Sequence, residues 1–212
     1  MEALISELIE DGHLKTKRII DAFRKIHRAG FIPEEYRDYA TANHPVPIGY
    51  NQTISQPLTV AIMLELLQPL PGHHILDIGA GSGWQTALLA EIVGPEGHVF
   101  AIERIPALKR TAEKNIAAYN FKNVTLLVGD GTRGYRQGAP YQGIIVAAAA
   151  EIGIPDILLE QLAVGGKLVI PVGKHDQDMV LKKKISEHDY TEERIPGFQF
   201  VPLVPRQWHE DN

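Results

Sequence analysis

From position 74 onward, apolar runs of strand length alternate with helical segments: HILDIG, WQTALLAEIVG, HVFAIE, PALKRTAEKNIAAYN, VTLLVGD, GIIVAAAA, PDILLEQLAV and GKLVIPVG. Nothing else in the chain restricts its fold as strongly. Strands separated by helices lie parallel, because each crossover returns the chain to the same end of the sheet. Near-continuous apolar strands such as KLVIPV suit a sheet covered on both faces. MVLKKKISE and GFQFVPLV follow with no helix between them, which predicts an antiparallel end to the sheet. The expected fold is a doubly wound α/β sheet.

The front of the chain reads differently. Residues 17–27 place Ile19, Phe23 and Ile26 at helical spacing, with Thr16 as N-cap and Gly30 closing the segment. Residues 31–51 are irregular, broken by Pro33, Pro45, Pro47 and Gly49. A second helix is expected to open at Ser55 as N-cap, with Pro57 in the first turn and Val60, Ala61, Leu64 and Leu67 following. Tyr36 and Tyr39 are expected to pack the front helices onto the sheet. A length of 212 residues predicts one domain, with residues 1–70 as a helical cap and 71–212 as a Rossmann-like core.

A formal charge of −5 lacks the basic excess of a nucleic-acid binder. No apolar run approaches a membrane span, and MEALISELIEDG lacks the basic start of a signal peptide, so a cytoplasmic protein is expected. The absence of cysteine excludes disulfides and thiolate catalysis. The nine histidines show no ligand spacing such as HExxH, and no metal site is expected. The lysines at 182–184 read as a solvated strand edge.

DIGAGSG, residues 77–83, follows a strand and opens a helix, where an open α/β sheet binds ligands. Glu103 ends the next strand about twenty residues on, where a carboxylate can take both hydroxyls of a ribose. Two ligands compete for such a loop. A dinucleotide needs G-x-G-x-x-G with its pyrophosphate at the helix start, but Trp84 holds the place of the third glycine. S-adenosylmethionine carries a sulfonium and an ammonium, which the acidic Asp77 suits and a pyrophosphate would not. A third strand end carries Gly129-Asp130-Gly131, where Asp130 can accept from an adenine amino group while Gly131 clears room for the ring. Together these residues favour S-adenosyl-L-methionine.

The segments FIPEEYRD, PIGYNQTIS, LDIGAGSGWQTALLAEIVG, VGDGTRGY, GAPYQGIIV and LLEQLAVGGKLVIPVG, with QDM, FVPLV and the terminal RQW, resemble the protein-L-isoaspartate (D-aspartate) O-methyltransferases. The resemblance implies a class I S-adenosylmethionine-dependent methyltransferase fold, with a seven-stranded sheet, a reversed last strand and extra N-terminal helices. It implies methylation of isoaspartyl carboxylates in damaged proteins and peptides by a monomer, with S-adenosyl-L-homocysteine as product. By the same resemblance, Ser55 stands at the substrate carboxylate. Gln52, Thr53, Ile54 and Ser55 itself border the cofactor with Asp77, Gly79, Gly81, Ser82, Gly83, Glu103, Arg104, Asp130, Gly131 and Gln207.

That reaction needs no general base. An α-type carboxyl has a pKa of about 3.5 and is ionised at neutral pH, so an anion and a cation give two neutral products. Alignment and exclusion of water are what a protein can add. The chain departs from the family at the substrate side. Gln56 and Leu58 stand where Ala and His follow TIS, AAAAEIGIP lacks a proline and is a residue longer, and Val204 replaces a hydroxyl-bearing residue. Two alternatives stay open: a related carboxyl methyltransferase with a dedicated peptide partner, and a nonenzymatic S-adenosylmethionine-binding protein.

Overall fold

The computed structural model describes residues 1–205. In chain order the elements begin with α1 (Glu2–Glu10), α2 (Lys17–Lys25), two 3-10 turns at Arg28–Phe31 and Glu34–Tyr39, β1 (Val46–Gly49), β2 (Gln52–Ile54) and α3 (Pro57–Leu67). The core follows as β3 (His74–Ile78), α4 (Trp84–Val93), β4 (His98–Glu103), α5 (Pro106–Ala117), β5 (Val124–Val128) and β6 (Tyr141–Val146). The chain then forms α6 (Asp156–Glu160), β7 (Leu162–Val172), β8 (Gln177–Lys184) and β9 (Tyr190–Phe198).

Seven strands form one sheet in the order β5-β4-β3-β6-β7-β8-β9. The pairs from β5 to β7 are parallel. The sheet then closes antiparallel, β8 running against β7 and β9 against β8. β3 lies at the switch point, with β4 on one side and β6 on the other, which opens a crevice beyond their carboxyl ends.

Successive residues of each strand face opposite sides, and the two sides are covered unequally. Ile75, Val99, Ile145 and Val169 join a core built from α1, α2, α3, α4 and α5. Leu76, Ile144 and Leu168 point the other way, where the cover is the five-residue α6 and aromatic side chains such as Tyr141 and Tyr135. The connection from β5 to β6 makes only two 3-10 turns, at Gly131–Arg133 and Arg136–Gly138, so no long helix shields that face.

Several local expectations are corrected. α2 stops at Lys25, and Gly30 belongs to the following 3-10 turn. α3 has Gln56, not Ser55, at its N-cap, because Pro57 occupies the first turn and the cap is the residue before it. The helix start is satisfied from elsewhere: Leu58 N donates to Asn43 Oδ1 at 3.1 Å. The irregular stretch contains a hairpin, β1 pairing with β2 across Tyr50 and Asn51, both with positive φ. Tyr39 is 51% exposed and lies tilted against the ring of His44 instead of packing onto the sheet. Lys184 is buried, its ammonium donating to Leu162 O at 3.0 Å, because β9 rather than β8 is the sheet edge. The last strand is the polar Tyr190–Phe198, an edge strand that needs only one apolar face. The apolar FVPLV leaves the sheet and crosses the strand ends.

Candidate active site

A cleft of about 850 Å³, counted with its open mouth, lies over the carboxyl ends of β3, β4 and β6 and the residues just after β5. Gly79, Gly81 and Ser82 form its floor after β3, Glu103 and Arg104 come from β4, and Gly131 follows β5. Ala147 and Ala148 follow β6. The β1–β2 hairpin adds Ile48, Gln52, Thr53 and Ile54 on another side, and Ser55 follows directly.

The glycine loop is held from two directions. Gly79 N donates to Ile102 O at 2.8 Å, and Gly81 N donates to Glu103 Oε2 at 2.8 Å. Glu103 Oε1 accepts from Ile105 N at 2.9 Å. The Glu103 carboxylate therefore ties the loop after β3 to the turn after β4. A carboxylate offers about four acceptor sites, so two backbone bonds leave capacity for a ligand.

Not every residue of the glycine signature faces the cleft. Gly83 sits at the N-cap of α4 with φ 95°, and a Cβ there would come within 3.0 Å of Ile116 Cδ1. Its requirement is helix packing. Gly131 does line the cleft, but a Cβ would overlap Ile78 Cγ2, so the space it clears belongs to β3 rather than to an aromatic ring. Asp130 turns its carboxylate onto Thr132, accepting from the amide at 2.9 Å and from the hydroxyl at 2.6 Å, and is outside the cleft lining.

Asp77 is the largest change from expectation. It is fully buried within β3, accepting from Gln85 Nε2 at 2.8 Å and Thr86 Oγ1 at 2.6 Å, and it does not line the cleft. It fastens the start of α4 to β3. Burial pushes its carboxyl up to about 6, opposed by the two side-chain hydrogen bonds and assisted by the nearby Glu103 charge. A carboxyl whose folded pKa is raised destabilises the fold once ionised, so this cost is absent below about pH 4 and complete above the folded value. Asp77→Asn keeps the shape and removes the charge. The variant is expected to gain stability relative to the wild type as pH rises from about 4 to 7, by a few kcal/mol at most. Thermal unfolding across that range reads the difference; a constant offset would mean that Asp77 does not titrate there.

Gln56 and Leu58 also lie outside the cleft lining. Leu58 packs against the main hydrophobic core, and Gln56 Oε1 is 3.4 Å from Thr59 Oγ1. Gln207 lies outside the described residues. Val201, Pro202 and Leu203, not expected at the site from their sequence, line the cleft after running across the strand ends. They are anchored there by Ala149 N donating to Val201 O at 2.8 Å and Leu203 N donating to Ala149 O at 2.7 Å. The available signal was Pro202, since proline demotes a strand reading. Trp84 serves two ends: it lines the cleft and packs edge-on to Phe23 at 5.5 Å.

The donor set fits an amino-acid nucleoside. Glu103 is the acidic side chain in the cleft lining, and loop backbone groups surround it. Ser82 Oγ is buried in the cleft wall with no hydrogen-bond partner among the described residues, a polar group that a ligand can satisfy. Among the described residues no cluster of His, Asp or Glu could hold a metal ion, and no helix is long and apolar enough to cross a membrane.

The sheet order, the antiparallel ending and the cleft at the switch point define a class I S-adenosylmethionine-dependent methyltransferase. The family model for protein-L-isoaspartate (D-aspartate) O-methyltransferase matches residues 1–208, and the chain belongs to that family. The protein-L-isoaspartate O-methyltransferase of Methanopyrus kandleri is 44% identical over 212 residues, covering 99% of this chain and 93% of the relative. Protein-L-isoaspartate O-methyltransferase 1 of Archaeoglobus fulgidus is 46% identical over 200 residues, covering 94% and 91%. Among solved structures, a Plasmodium falciparum chain assigned to the same activity, in complex with S-adenosyl-L-homocysteine, superposes with a TM-score of 0.84. It is 23% identical and the match covers 95% of this chain and 97% of that one, a likeness of fold.

Proposed function

We propose that the cleft holds S-adenosyl-L-methionine against Glu103 and the glycine loop, with Ser55 orienting the carboxylate that accepts the methyl group. The reaction is that of the family: methyl transfer from S-adenosylmethionine to the carboxylate of isoaspartyl residues, the entry step of protein repair. When bound, the cofactor supplies an electrophilic methyl group. The residues of the chain supply position. Glu103 receives the ribose hydroxyls, Ser82 and the amides around Gly81 take further polar groups, and Gln52, Thr53 and Ile54 close over the ligand. Arg104 and Gly131 border it.

Ser55 carries the substrate end of the reading. Its position one residue ahead of the helix cap and in the cleft lining supports that role. A hydroxyl there can donate to a carboxylate oxygen without removing a proton. None needs removing, because the carboxylate is ionised well below neutrality. Ile48, Trp84 and Val204 shield the site from water, which favours reaction of opposite charges. Leu58, partly buried against the main hydrophobic core and outside the cleft lining, is given no part in this reading.

The single observation behind this reading is the cleft that joins Ser55 to Glu103 across the glycine loop. Calorimetry with S-adenosyl-L-homocysteine and with NAD tests the ligand class. The expected outcome is saturable binding of the first and none of the second; binding of NAD alone would defeat the assignment. We further infer that the acidic chain acts as a cytoplasmic monomer on protein and peptide substrates, with no role for nucleic acid.

A further inference from the structure

Arg28 has no side-chain exposure, and among the described residues no carboxylate pairs with it. Its guanidinium is spent on backbone carbonyls. Nη1 donates to Tyr39 O, Ala40 O and Ala42 O at 3.3, 3.4 and 3.2 Å. Nη2 donates to His44 O at 2.9 Å and to Ser55 O at 3.1 Å. Its guanidinium carbon lies over the indole of Trp84, 5.6 Å from the ring centroid. Nε is buried without a partner. Burial lowers its pKa to about 10, which leaves it charged at neutral pH.

A buried charge without a counterion is expensive, and buried polar groups are ordinarily satisfied. A fold that keeps one gains something an apolar residue would not give. The acceptors show what it is. Tyr39 ends a 3-10 turn and its carbonyl also accepts from Ala42 N, but residues 40–44 are irregular, and the carbonyls of such a segment need donors that no helix or strand provides. The same fork reaches the backbone of Ser55 and covers Trp84, and both of these line the cleft. Asn43, inside the clasped segment, accepts from Leu58 N in the first turn of α3, three residues after Ser55. The segment, the Ser55 backbone and one wall of the cleft thus meet at a single guanidinium.

We propose that Arg28 is the positioning residue of this site, a clasp that fixes the Ser55 backbone, and through it the Ser55 hydroxyl, at the substrate end of the cleft. The proposal rests on the reading of Ser55 as the residue that orients the carboxylate. Only arginine supplies the geometry. Its planar fork spans several carbonyls at once, whereas an ammonium is a point donor on a flexible stem. Glu103 and the glycine loop make no bond to Arg28, so cofactor binding and substrate alignment separate in its variants.

Arg28→Lys, Ser55→Ala and the double variant form the test, each measured for S-adenosyl-L-homocysteine affinity, thermal stability, and kcat and KM on an isoaspartyl peptide. For Arg28→Lys, affinity is expected within about threefold of wild type and kcat about 100-fold lower, the effect of a misplacement near 1 Å. The double variant is expected to fall little further than either single one, since both changes remove the same alignment. Full kcat in folded Arg28→Lys, losses that multiply in the double variant, or an equal loss of cofactor affinity would each overturn the proposal. Unchanged turnover in Ser55→Ala alone would instead defeat the reading of Ser55. If Arg28→Lys does not fold, hydrogen exchange at the Arg28 Nη groups of the wild type decides: slow exchange is expected of a fixed clasp, and free exchange contradicts it.

Discussion

Replacing Glu103 by alanine is expected to weaken S-adenosylmethionine binding by about 100-fold, or about 3 kcal/mol. Two losses combine. The ribose hydroxyls lose charge-assisted acceptors, each worth about 1.5–3 kcal/mol before water compensates. The Gly81 and Ile105 amides, now bonded to the two carboxylate oxygens, lose the acceptor that joins the glycine loop to the end of β4. Glu103→Gln should lose nearly as much, because its NH2 would face a backbone N–H where an oxygen now accepts. Titration calorimetry measures the change, with circular dichroism to confirm the fold. Affinity within threefold of wild type in Glu103→Ala would remove Glu103 from the ligand site.

Ser55→Ala is expected to divide the kinetics in the opposite way. The carboxylate remains ionised and the cofactor contacts remain, so S-adenosyl-L-homocysteine affinity should stay within about threefold while kcat falls about 100-fold. The pH–rate profile should keep its shape through neutrality, since a hydroxyl that only orients adds no ionisation. A new ionisation near pH 7 in the variant would point to a base in the wild type. Normal turnover would leave Ser55 as a residue of the cleft wall.

The sheet was legible because its strands are apolar enough to announce burial on two faces. HILDI, HVFAIE, VTLLV and YQGIIV form β3 to β6, and the loop between the first two forms the cleft floor. Glu103 was legible for the same reason: a parallel sheet puts the ends of neighbouring strands side by side. Asp77 was misread because sequence position does not give side-chain direction. Neighbouring residues of β3 alternate between faces, and the carboxylate meets Gln85 and Thr86 on α4 instead of the cleft. The last strand was misplaced because hydrophobicity was taken for sheet membership. Val201 and Leu203 are apolar to line a cleft, while β9 is polar because an edge strand meets solvent.

The front of the molecule was least legible. Its organisation depends on single long-range bonds, such as Asn43 to the first turn of α3 and Arg28 to five carbonyls, and these leave no periodic trace. The family resemblance placed Ser55 and Leu58 together at the substrate. Ser55 lies in the cleft lining and Leu58 outside it, partly buried against the core.

The most direct test of the account is methyl transfer from labelled S-adenosylmethionine to two peptides that differ only in one isoaspartyl or ordinary aspartyl linkage. On the proposed reading the cleft brings one methyl donor to one oriented α-type carboxylate, so transfer to the isoaspartyl peptide and none to its aspartyl counterpart is predicted. Equal transfer to both peptides, or none to either while the cofactor binds, would contradict it.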